Sequence, residues 1–592
     1  MDSELMVRGI GEHKERKHAA QVAWSPTLAN SALIRGMARV GQRLRRSPGG
    51  VACVMQIYSP DHFSRRRFLQ QMGSAAILTA LPTQLFAEDE DKVVISILNT
   101  TDLHGHIVPT HMYPENDGSM VQDVGGLARC VTQIRAWQKE NPNYILLDIG
   151  DLYQGTHVSW STQGQLMIKL LNSMNYDAWV VGNHEFDWGF DPMVNVIKAS
   201  TVPVLGSNAK VGGKWANKLE DPQHPLGKIK PYIIKEIAGF RIGIIGTITP
   251  GLPYWLAPRL LGDFTAEDPV KSIDYAMRKL RDEKVDAIVY ACHMGLKSEI
   301  AKDDFANRIR QIAEENVGID VIIAGHTHKD LGNQKVSGVP YTQANYFGIH
   351  CGRTDLVFSK SKRRLEFVNV GTKLMDASIA QDPMILSASA REREASDMEL
   401  AREIGELKET LSKESEPGKA AESLLLLTRA MRFSLEKRKV TVDGVLHGSF
   451  YEFDIKAGPK TIASAWEIVP YENYISTAGL TRAELITVLE ECLNVPHSSH
   501  SLDGFKVNVT SEGKKVAVHD VTLPDGKPLD EKVRYRIALN SFDAQSGGQR
   551  FPKLHKITTA PQSKSEVINV QSREALIEYF TERKTIFKRD LA

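Results

Sequence analysis

Residues 178–187 read AWVVGNHEFD, and this stretch combines two patterns that decide the fold of the chain. The apolar run at 178–181 is typical of a buried strand. It leads into an amide, an imidazole and two carboxylates within five residues. A plain turn uses Asn, Asp and Gly for its backbone geometry, and it has little use for a His between an amide and a carboxylate. The stretch therefore predicts a buried strand that presents reactive side chains at its carboxyl end.

The same apolar pattern recurs on both sides of this stretch and alternates with amphipathic helices. Further strands are predicted at KVVISIL (92–98), YILLDI (144–149), RIGIIG (241–246), DAIVYA (286–291) and DVIIAG (320–325). Helices are predicted at 125–140, 165–174, 269–284 and 303–315. Runs this apolar suit strands that other layers cover on both faces. The alternation predicts a layered α/β domain over residues 92–372.

The composition changes after residue 372. Residues 373–420 are rich in charged residues and Ala, and they predict an exposed helical linker that ends at Pro417 and Gly418. In residues 421–592, helices are predicted at 424–433 and 481–493. Short strands are predicted at 503–509, 515–521 and 533–540. The C-terminal part is therefore predicted to be a second, α+β domain with antiparallel character.

The overall composition fits a globular chain of two or more domains. The chain has 592 residues, of which 42% are hydrophobic, and its 73 basic and 72 acidic residues leave a net charge of +1. Such a balance creates no global field that would favour nucleic acid or acidic membranes. We therefore expect no nucleic-acid partner.

The N-terminal region carries the pattern of an export signal. The sequence SRRRFLQQMGSAAILTALPTQLFA starts at Ser64, and its paired Arg65 and Arg66 precede a short apolar stretch at 73–81. This arrangement resembles a bacterial twin-arginine signal peptide, which is predicted to span residues 55–87. The apolar stretch is too short to anchor a chain stably in a bilayer. The mature protein is therefore expected in the periplasm or secreted, without a stable membrane span.

The residues before this signal are predicted to lie outside the folded protein. Residues 1–54 are basic and lack clear periodicity, and Met55 lies nine residues before Ser64. Two interpretations stay open for them. Met55 is the true start and residues 1–54 belong to an over-extended reading frame, or residues 1–54 form a disordered extension.

Five strand ends in the first domain are followed at once by side chains that can bind metal. These side chains are Asp102 and His104, Asp151, Asn183 and His184, His293, and His326 and His328. Ligand sites in layered α/β folds form beyond the carboxyl ends of the strands, so these side chains are expected in one crevice. Each fragment alone also fits a loop or a core histidine, but their joint occurrence favours a functional site.

The donor set suits two metal ions better than one. Two carboxylates, four imidazoles and one amide exceed the needs of a single tetrahedral ion. They fit two ions that share one bridging carboxylate, and mixed nitrogen and oxygen donors favour Zn, Mn, Fe, Co or Ni over Ca or Mg. Two such ions can activate a water molecule and bind a phosphoryl group for in-line attack. The sequence therefore predicts a centre of two divalent transition-metal ions.

The ordered motifs D-x-H, G-D, G-N-H-E, H-x-G and G-H-x-H resemble the calcineurin-like metallophosphoesterase superfamily. DLHGH, GNHEFDWG and AGHTH are similar to its 5′-nucleotidase branch, which includes exported bacterial nucleotidases and 2′,3′-cyclic-nucleotide phosphodiesterases. The resemblance spans residues 92–360. It implies a four-layer α/β/β/α metallophosphoesterase domain, followed by a C-terminal α+β domain that determines substrate specificity.

The resemblance also assigns roles to individual residues. It implies that one metal is bound by Asp102, His104, Asp151 and His328, and the other by Asp151, Asn183, His293 and His326. His184 would bind no metal and would face the phosphate as the catalytic cation, oriented by Asp187, while Glu185 and Phe186 would serve local structure. A histidine held by a carboxylate is more readily protonated, and a cation there stabilises charge that develops on phosphoryl oxygens.

The C-terminal domain resembles the specificity domain of the nucleotidase branch, with departures. Tyr471 and Phe542 match the two aromatic residues that enclose the nucleobase in relatives, although either ring also suits ordinary core packing. The Asn-Gly-Gly and the following Arg of relatives are absent from VLHGSFYEFD (445–454). Arg550 stands in a late Gly-Gly motif that is also altered, and it either replaces the missing phosphate-facing cation or lies on the surface.

Together these features predict an exported phosphoesterase with two metal ions, which hydrolyses nucleotides as a 5′-nucleotidase does, or related phosphoesters, by attack of a metal-activated water. Its partner would be a small-molecule phosphoester. Two alternatives stay open, namely a thiosulfohydrolase or other non-nucleotide hydrolase on the same fold, and a non-catalytic binding protein. The order Asn183-His184 argues against the thiosulfohydrolases, and the complete ligand set argues against a disabled scaffold.

Overall fold

The computed structural model describes most of the chain from residue 91 onward. The described residues are 91–109, 111–114, 120–221, 223–298, 300–415, 419–449, 453–496, 499–513 and 515–591. The predicted signal peptide (55–87) and residues 1–54 lie outside these ranges.

Two mixed β-sheets form the centre of the first domain. Its described strands are β1 (Lys92–Thr100), β2 (His111–Pro114), β3 (Met120–Val124), β4 (Tyr144–Asp148), β5 (Ala178–Val180), β6 (Val204–Leu205), β7 (Ala209–Val211), β8 (Lys214–Trp215), β9 (Ile229–Lys230), β10 (Tyr232–Ile237), β11 (Phe240–Ile248), β12 (Phe264–Ala266), β13 (Ala287–His293), β14 (Val321–Ala324), β15 (Asp330–Val336), β16 (Val339–Ala344), β17 (His350–Ser359) and β18 (Arg364–Leu374). Among the described residues, the first sheet has the order β18-β17-β1-β4-β5-β6-β9, and the second has the order β10-β11-β13-β14-β16-β15. Strands β1, β4 and β5 are parallel neighbours, as are β13 and β14. Their carboxyl ends therefore share one edge within each sheet.

Helices cover the outer faces of both sheets. The described helices up to residue 402 are α1 (Leu127–Glu140), α2 (His157–Ser161), α3 (Gln165–Ser173), α4 (Phe190–Ala199), α5 (Pro258–Leu261), α6 (Pro269–Asp282), α7 (Ile309–Glu315), α8 (Pro383–Ala388) and α9 (Ala390–Leu400). Between the sheets lies an aliphatic layer that includes Ile97, Leu147 and Val289. Helices α1, α3 and α4 pack on the outer face of the first sheet, and α6 and α7 pack on that of the second. The predicted four-layer α/β/β/α architecture is therefore confirmed.

Helix α6 illustrates how the local sequence fixes this packing. Asp268 caps its N-terminus by accepting a hydrogen bond from Val270 N at 3.0 Å. Pro269 occupies the first helical position, where its missing N–H group is not needed. Ile273 and Leu280 lie seven residues apart on one face and are buried against the second sheet. Full burial of a side chain of this size stabilises the fold by about 1.5–3 kcal/mol.

The second domain combines a mixed sheet with helices, as predicted for an α+β domain. Its described strands are β19 (Glu403–Leu407), β20 (Gly444–His447), β21 (Gly458–Thr461), β22 (Tyr474–Leu480), β23 (Ser501–Asp503), β24 (Lys506–Glu512), β25 (Lys515–Thr522), β26 (Tyr535–Asn540), β27 (Glu566–Gln571) and β28 (Thr585–Ile586). Its described helices are α10 (Glu422–Lys437), α11 (Ile462–Ile468), α12 (Arg482–Asn494), α13 (Ser541–Ala544), α14 (Pro552–Thr558) and α15 (Ser572–Arg583). The main sheet has the order β23-β20-β26-β22-β27 within the described residues, and most of its neighbours are antiparallel.

The segment predicted as a charged linker, residues 373–420, has more structure than its composition indicates. Strand β18 runs to Leu374, and helices α8 and α9 follow it. Strand β19 then pairs with β21 and β28 of the second domain. Because Ile404 and Leu407 are buried in the core of that domain, its structure begins at Glu403 rather than at residue 421.

The predicted helix at 303–315 is shorter than expected. Helix α7 begins only at Ile309, because the Asp304 carboxylate accepts hydrogen bonds from Ala306 N at 2.9 Å and from Asn307 N at 2.8 Å. These bonds hold a loop where the periodicity indicates helix. None of the helices in the described part of the chain is both long and apolar enough to cross a bilayer.

Candidate metal centre

The ends of five strands bring the predicted metal ligands together. Asp102 and His104 follow β1, Asp151 follows β4, and Asn183 follows β5. His293 is the last residue of β13, and His326 and His328 follow β14. Strands β1, β4 and β5 are neighbours in the first sheet, and β13 and β14 are neighbours in the second. All seven side chains are buried. The sequence-based expectation of one shared crevice therefore holds for every one of these positions.

The backbone at most of these positions adopts a left-handed conformation. The φ angles are 49° at Asp102, 49° at His104, 52° at Asp151, 74° at His326 and 54° at His328. Such angles are uncommon for residues other than glycine, and each costs about 1–2 kcal/mol. Strain of this kind persists only where surrounding contacts enforce it, and it clusters at functional sites. The left-handed backbone therefore costs folding free energy at these positions, and it directs the side chains into the crevice.

The first group of ligands is formed by Asp102, His104, Asp151 and His328. One donor atom from each lies within 4.8 Å of all the others. His104 Nε2 and His328 Nε2 are 3.0 Å apart, and His328 Nε2 lies 3.4 Å from Asp102 Oδ1. His104 Nε2 lies 3.8 Å from Asp151 Oδ2. Four donors thus converge on a space of the size of one ion.

The second group is formed by Asp151, His293 and His326, whose donor atoms also lie within 4.8 Å of one another. His293 Nε2 lies 2.9 Å from Asp151 Oδ2 and 3.2 Å from Asn183 Oδ1. The carboxylate of Asp151 belongs to both groups, and the same oxygen faces His293 and His104. This placement is what a bridging ligand requires.

Backbone carbonyls hold two of the imidazole rings in the orientation that metal binding needs. His104 Nδ1 lies 2.7 Å from Gln154 O, and His293 Nδ1 lies 2.7 Å from Ile149 O. When Nδ1 carries the proton that it donates to a carbonyl, the lone pair of Nε2 points into the crevice.

Burial and neighbouring charges shift the pKa values of several side chains in the crevice. Burial lowers the pKa of His104 to about 4, which keeps this imidazole neutral. Burial would also lower the pKa of His293, but the Asp151 carboxylate raises it to about 10. Burial would raise the pKa of Asp151, but the imidazoles around it hold that pKa well below the usual range. Asp151 Oδ2 is buried 2.9 Å from His293 Nε2 and 3.8 Å from His104 Nε2, so a bound metal ion would take the place of the proton between Asp151 and His293. The donor set therefore fits two divalent ions.

Glu185 organises the loops around Asp151. Its carboxylate accepts hydrogen bonds from Asp151 N at 3.0 Å, from Leu152 N at 2.8 Å and from Gly182 N at 2.6 Å. Burial raises the pKa of Glu185 to about 8. The sequence assigned Glu185 to local structure only, whereas the contacts show that it positions the shared ligand. Its place directly after Asn183-His184 in the G-N-H-E motif was the available signal.

His184 stands beside the two ligand groups and is paired with Asp187. His184 Nδ1 lies 2.7 Å from Asp187 Oδ2, and both side chains are largely buried. Burial raises the pKa of Asp187 to about 6, although the neighbouring His184 acts in the opposite direction. The ring of His184 lies 5.1 Å from that of His104. The predicted pair is therefore formed next to the metal ligands.

A cavity lies beside His184, between the two domains. Its lining includes Asn183, His184, Asp187, Trp255, Leu256, Leu260, Tyr471, Glu472, Asn473, Ser541 and Phe542. Tyr471 and Phe542, the two predicted substrate-binding aromatic residues, thus share one cavity with His184.

Arg550 is not among the residues that line this cavity. Its guanidinium carbon lies 5.5 Å from the ring centroid of Phe542 and 5.4 Å from that of Phe551. Its Nε donates a hydrogen bond to Gly547 O at 3.0 Å. Arg550 therefore lies next to a cavity residue, and its role in substrate binding stays a prediction.

His447 is buried in the stretch where the resemblance led us to expect Asn-Gly-Gly and Arg. It is the last residue of β20, and burial lowers its pKa to about 4. His500 Nε2 lies 2.9 Å from Oδ2 of Asp543, the residue that follows Phe542 in the chain. A neutral histidine thus lies at this position.

The fold and the site define the class of protein. Residues 95–330 match the family of calcineurin-like phosphoesterases, and residues 403–556 match the 5′-nucleotidase C-terminal domain. The chain therefore combines a calcineurin-like phosphoesterase domain with a 5′-nucleotidase C-terminal domain.

Individual relatives agree with this assignment. The chain is 23% identical to the trifunctional nucleotide phosphoesterase protein YfkN of Bacillus subtilis, over 86% of this chain and 39% of that protein. It is also 23% identical to the 2′,3′-cyclic-nucleotide 2′-phosphodiesterase/3′-nucleotidase of Haemophilus influenzae, over 85% of this chain and 88% of that protein. The structure of a 5′-nucleotidase precursor from Thermus thermophilus shares the fold, with a TM-score of 0.62, 24% identity, and coverage of 83% of this chain and 97% of that one. The chain thus spans well under half the length of the first of these relatives.

Proposed function

We propose that this protein is a phosphoesterase that hydrolyses nucleotides with two divalent transition-metal ions bound in the crevice. The observation that carries the proposal is the cavity that joins Asn183 and His184 to Tyr471 and Phe542. A phosphoester in this cavity would have its phosphoryl group near the metal ligands and its organic group near the aromatic rings. The similarity to a nucleotide phosphoesterase and to a cyclic-nucleotide phosphodiesterase supports the same substrate class.

The ligands are proposed to divide between two ions. Asp102, His104, Asp151 and His328 would hold one ion, and Asp151, Asn183, His293 and His326 would hold the other. The ions, drawn from Zn, Mn, Fe or Co, would supply the positive charge that activates water and neutralises phosphoryl oxygens. The position of Asp151 Oδ2 near both His104 and His293 supports its role as the bridge.

His184 is proposed to act on the phosphoryl group or the leaving group. Its Nδ1 contacts Asp187, so the ring is held in one orientation, and His184 is proposed to act in its protonated form. A cation in a dry site stabilises negative charge that develops during phosphoryl transfer. His184 would therefore lower the barrier without holding a metal.

Tyr471 and Phe542 are proposed to enclose the nucleobase. Aromatic rings bind planar bases by stacking, and both rings belong to the cavity wall. Arg550 is proposed to hold the Phe542 ring in place rather than to bind phosphate, in line with the distance of 5.5 Å between them.

A substrate panel tests the function. The protein loaded with Mn²⁺ is assayed with AMP, a 2′,3′-cyclic nucleotide, a nucleotide sugar, an aryl phosphate and a thiosulfonate. We expect the nucleotides to be hydrolysed with the highest kcat/KM, and Tyr471→Ala to raise KM for them but not for the aryl phosphate. Hydrolysis of the thiosulfonate alone would establish the alternative hydrolase. A metal-loaded protein that turns over none of these compounds would instead support a binding protein.

Export through the twin-arginine route is proposed for the same protein. The support is the order of Arg65 and Arg66, the short apolar stretch and Ala87 before an acidic run. In a bacterial host, the full chain should yield a shortened form in the periplasmic fraction. Replacing both Arg65 and Arg66 by Lys should keep the chain in the cytoplasm, whereas the neighbouring Arg67→Lys should not. Unchanged fractionation of the double variant would refute export by this route.

A further inference from the structure

A buried polar contact joins the two domains directly beside the metal centre. Gln154 follows Asp151 in the loop after β4, and Glu472 lies next to Tyr471 on the cavity wall. Gln154 Nε2 donates a hydrogen bond to Glu472 Oε2 at 2.7 Å. Gln154 is 0% exposed and Glu472 is 6% exposed, so water does not compete for this bond.

On the side of the metal centre, Gln154 is firmly anchored. Its backbone carbonyl lies 2.7 Å from Nδ1 of His104, one of the proposed ligands. The next residue, Gly155, packs so closely that a Cβ atom there would lie 2.6 Å from His104 O. The side chain of Gln154 therefore projects toward the second domain from a main chain that is fixed to the metal centre.

On the side of the second domain, Glu472 belongs to a buried ion pair. Its Oε1 accepts a hydrogen bond from a terminal nitrogen of Arg573 at 3.0 Å. Arg573 in turn donates from Nε to Val469 O at 2.7 Å, and its guanidinium carbon lies 3.5 Å from the ring centroid of Trp466. Both oxygens of Glu472 are thus engaged, one by each domain.

The chemistry of the cavity indicates that Glu472 does not bind the phosphoryl group. A carboxylate on the wall would repel an anionic phosphoester unless its charge were compensated. Arg573 supplies that compensation within the second domain, and Gln154 occupies the remaining oxygen from the first. The group is therefore suited to joining the domains rather than to recognising substrate.

We propose that Gln154, Glu472 and Arg573 form a latch that seats the second domain on the metal centre and thereby sets the position of Tyr471 relative to His184. Glu472 is a positioning residue in this scheme. The inference rests on the proposed nucleotide hydrolysis, since the latch matters for a substrate that must reach both the metal ligands and Tyr471. A small aryl phosphate needs only the metal centre, so its hydrolysis is independent of the latch.

Variants on both sides of the contact test the latch. Glu472→Leu removes the carboxylate with little change in volume, and it should lower kcat/KM for the nucleotide by about 10- to 100-fold, the effect of a misplacement of about 1 Å. Metal content and aryl phosphate turnover should stay within about twofold of the wild type, because His104 keeps its carbonyl partner. Gln154→Leu keeps the ion pair of Glu472 with Arg573 and should lower this kcat/KM in the same direction but by less, and the double variant should be no worse than Glu472→Leu alone.

A conservative variant and a matched control sharpen the test. Gln154 Oε1 has no hydrogen-bond partner among the described residues, so the Gln154 amide can turn over and accept a bond from the side-chain NH₂ group that Glu472→Gln introduces. This variant should therefore retain most nucleotide turnover. Glu484 pairs with Arg534 at 2.8 and 3.0 Å inside the second domain, and Glu484→Leu should leave the ratio of nucleotide to aryl phosphate turnover unchanged.

Amide hydrogen exchange separates the latch from the proposed function. Glu472→Leu should speed exchange in residues 152–158 and 466–474, a readout that needs no turnover. If the wild type hydrolyses no nucleotide but exchange changes as expected, the function fails and the latch stands. Unchanged exchange in both segments, or equal losses of activity on both substrates, would overturn the latch.

Discussion

The close approach of Gly182 to Asp151 predicts that Gly182→Ala disables the metal centre. A Cβ atom at this position would lie 2.5 Å from Asp151 N and 2.7 Å from Glu185 Oε2, and closer still to Asp151 Oδ1. Ordinary van der Waals contact begins at 3.4 Å, so Asp151 must move by roughly 1 Å to make room. Neither neighbour yields easily, since one is backbone and the other holds three N–H groups.

The size of the effect follows from that displacement. A shift of about 1 Å in a group that positions reactants can cost about 100-fold in turnover. Overpacking of a tight site costs about 1–3 kcal/mol of folding stability. We therefore expect Gly182→Ala to lose about 100-fold in nucleotide turnover and to bind less metal at equal supply. Elemental analysis, steady-state kinetics and urea unfolding measure the three quantities.

Gly227→Ala is the matched control for this substitution. A Cβ atom there would meet its nearest neighbour, Ala216 O, at 3.9 Å, so the added methyl group fits. Neither glycine adopts a left-handed backbone, so backbone strain does not distinguish the two variants. If Gly182→Ala kept full metal content and turnover within about threefold of the control, the argument from close approach would be refuted.

Three further predictions concern single side chains. His184→Ala should lower turnover by about 100- to 1,000-fold and keep both metals, because the residue stands beside the ligand groups rather than in them; metal analysis of the purified variant decides this. Asp151→Ala should lose both ions, since Asp151 belongs to both groups, and full occupancy would contradict the bridging assignment. Burial lowers the pKa of His447 from 6.5 to about 4, so between these pH values the unfolded chain takes up a proton that the folded chain does not. Stability should therefore fall as the pH drops through that window, by up to about 2 kcal/mol from pH 7 to pH 5 for His447 alone, and urea unfolding should show a loss that is smaller in His447→Leu than in the wild type by this amount.

The strands and the clustering of the proposed metal ligands could be predicted from the sequence for physical reasons. Strands covered on both faces need continuous apolar runs, which made β1, β4, β13 and β14 visible. The site residues at the ends of these strands could be recognised in the sequence because buried apolar runs rarely lead straight into imidazoles and carboxylates. Parallel topology then requires such ends to share one edge of a sheet, so proximity followed without any knowledge of loop geometry.

Other features depend on contacts between distant parts of the chain, which local patterns do not record. Strand β19 was hidden in a charged segment because its pairing partners, β21 and β28, lie about 50 and 180 residues further along the chain. The role of Glu185 depends on three backbone N–H groups whose directions are set by the fold. The contact between Gln154 and Glu472 spans 318 residues, and neither residue belongs to a motif with a known spacing.

The ligands of the candidate metal centre also connect the two sheets of the first domain. The Asp102 carboxylate, from the first sheet, accepts a hydrogen bond from His326 N of the second at 3.0 Å. In the opposite direction, His293 Nδ1 lies 2.7 Å from Ile149 O. Ions that bind only the folded chain would stabilise the folded state by about 4 kcal/mol when present at 1,000 times their dissociation constant. Metal supply would then control how much folded protein persists as well as how fast it works. A substitution that adapts the metal centre to a new substrate would weaken this connection between the sheets, so new specificities would evolve more freely in the second domain.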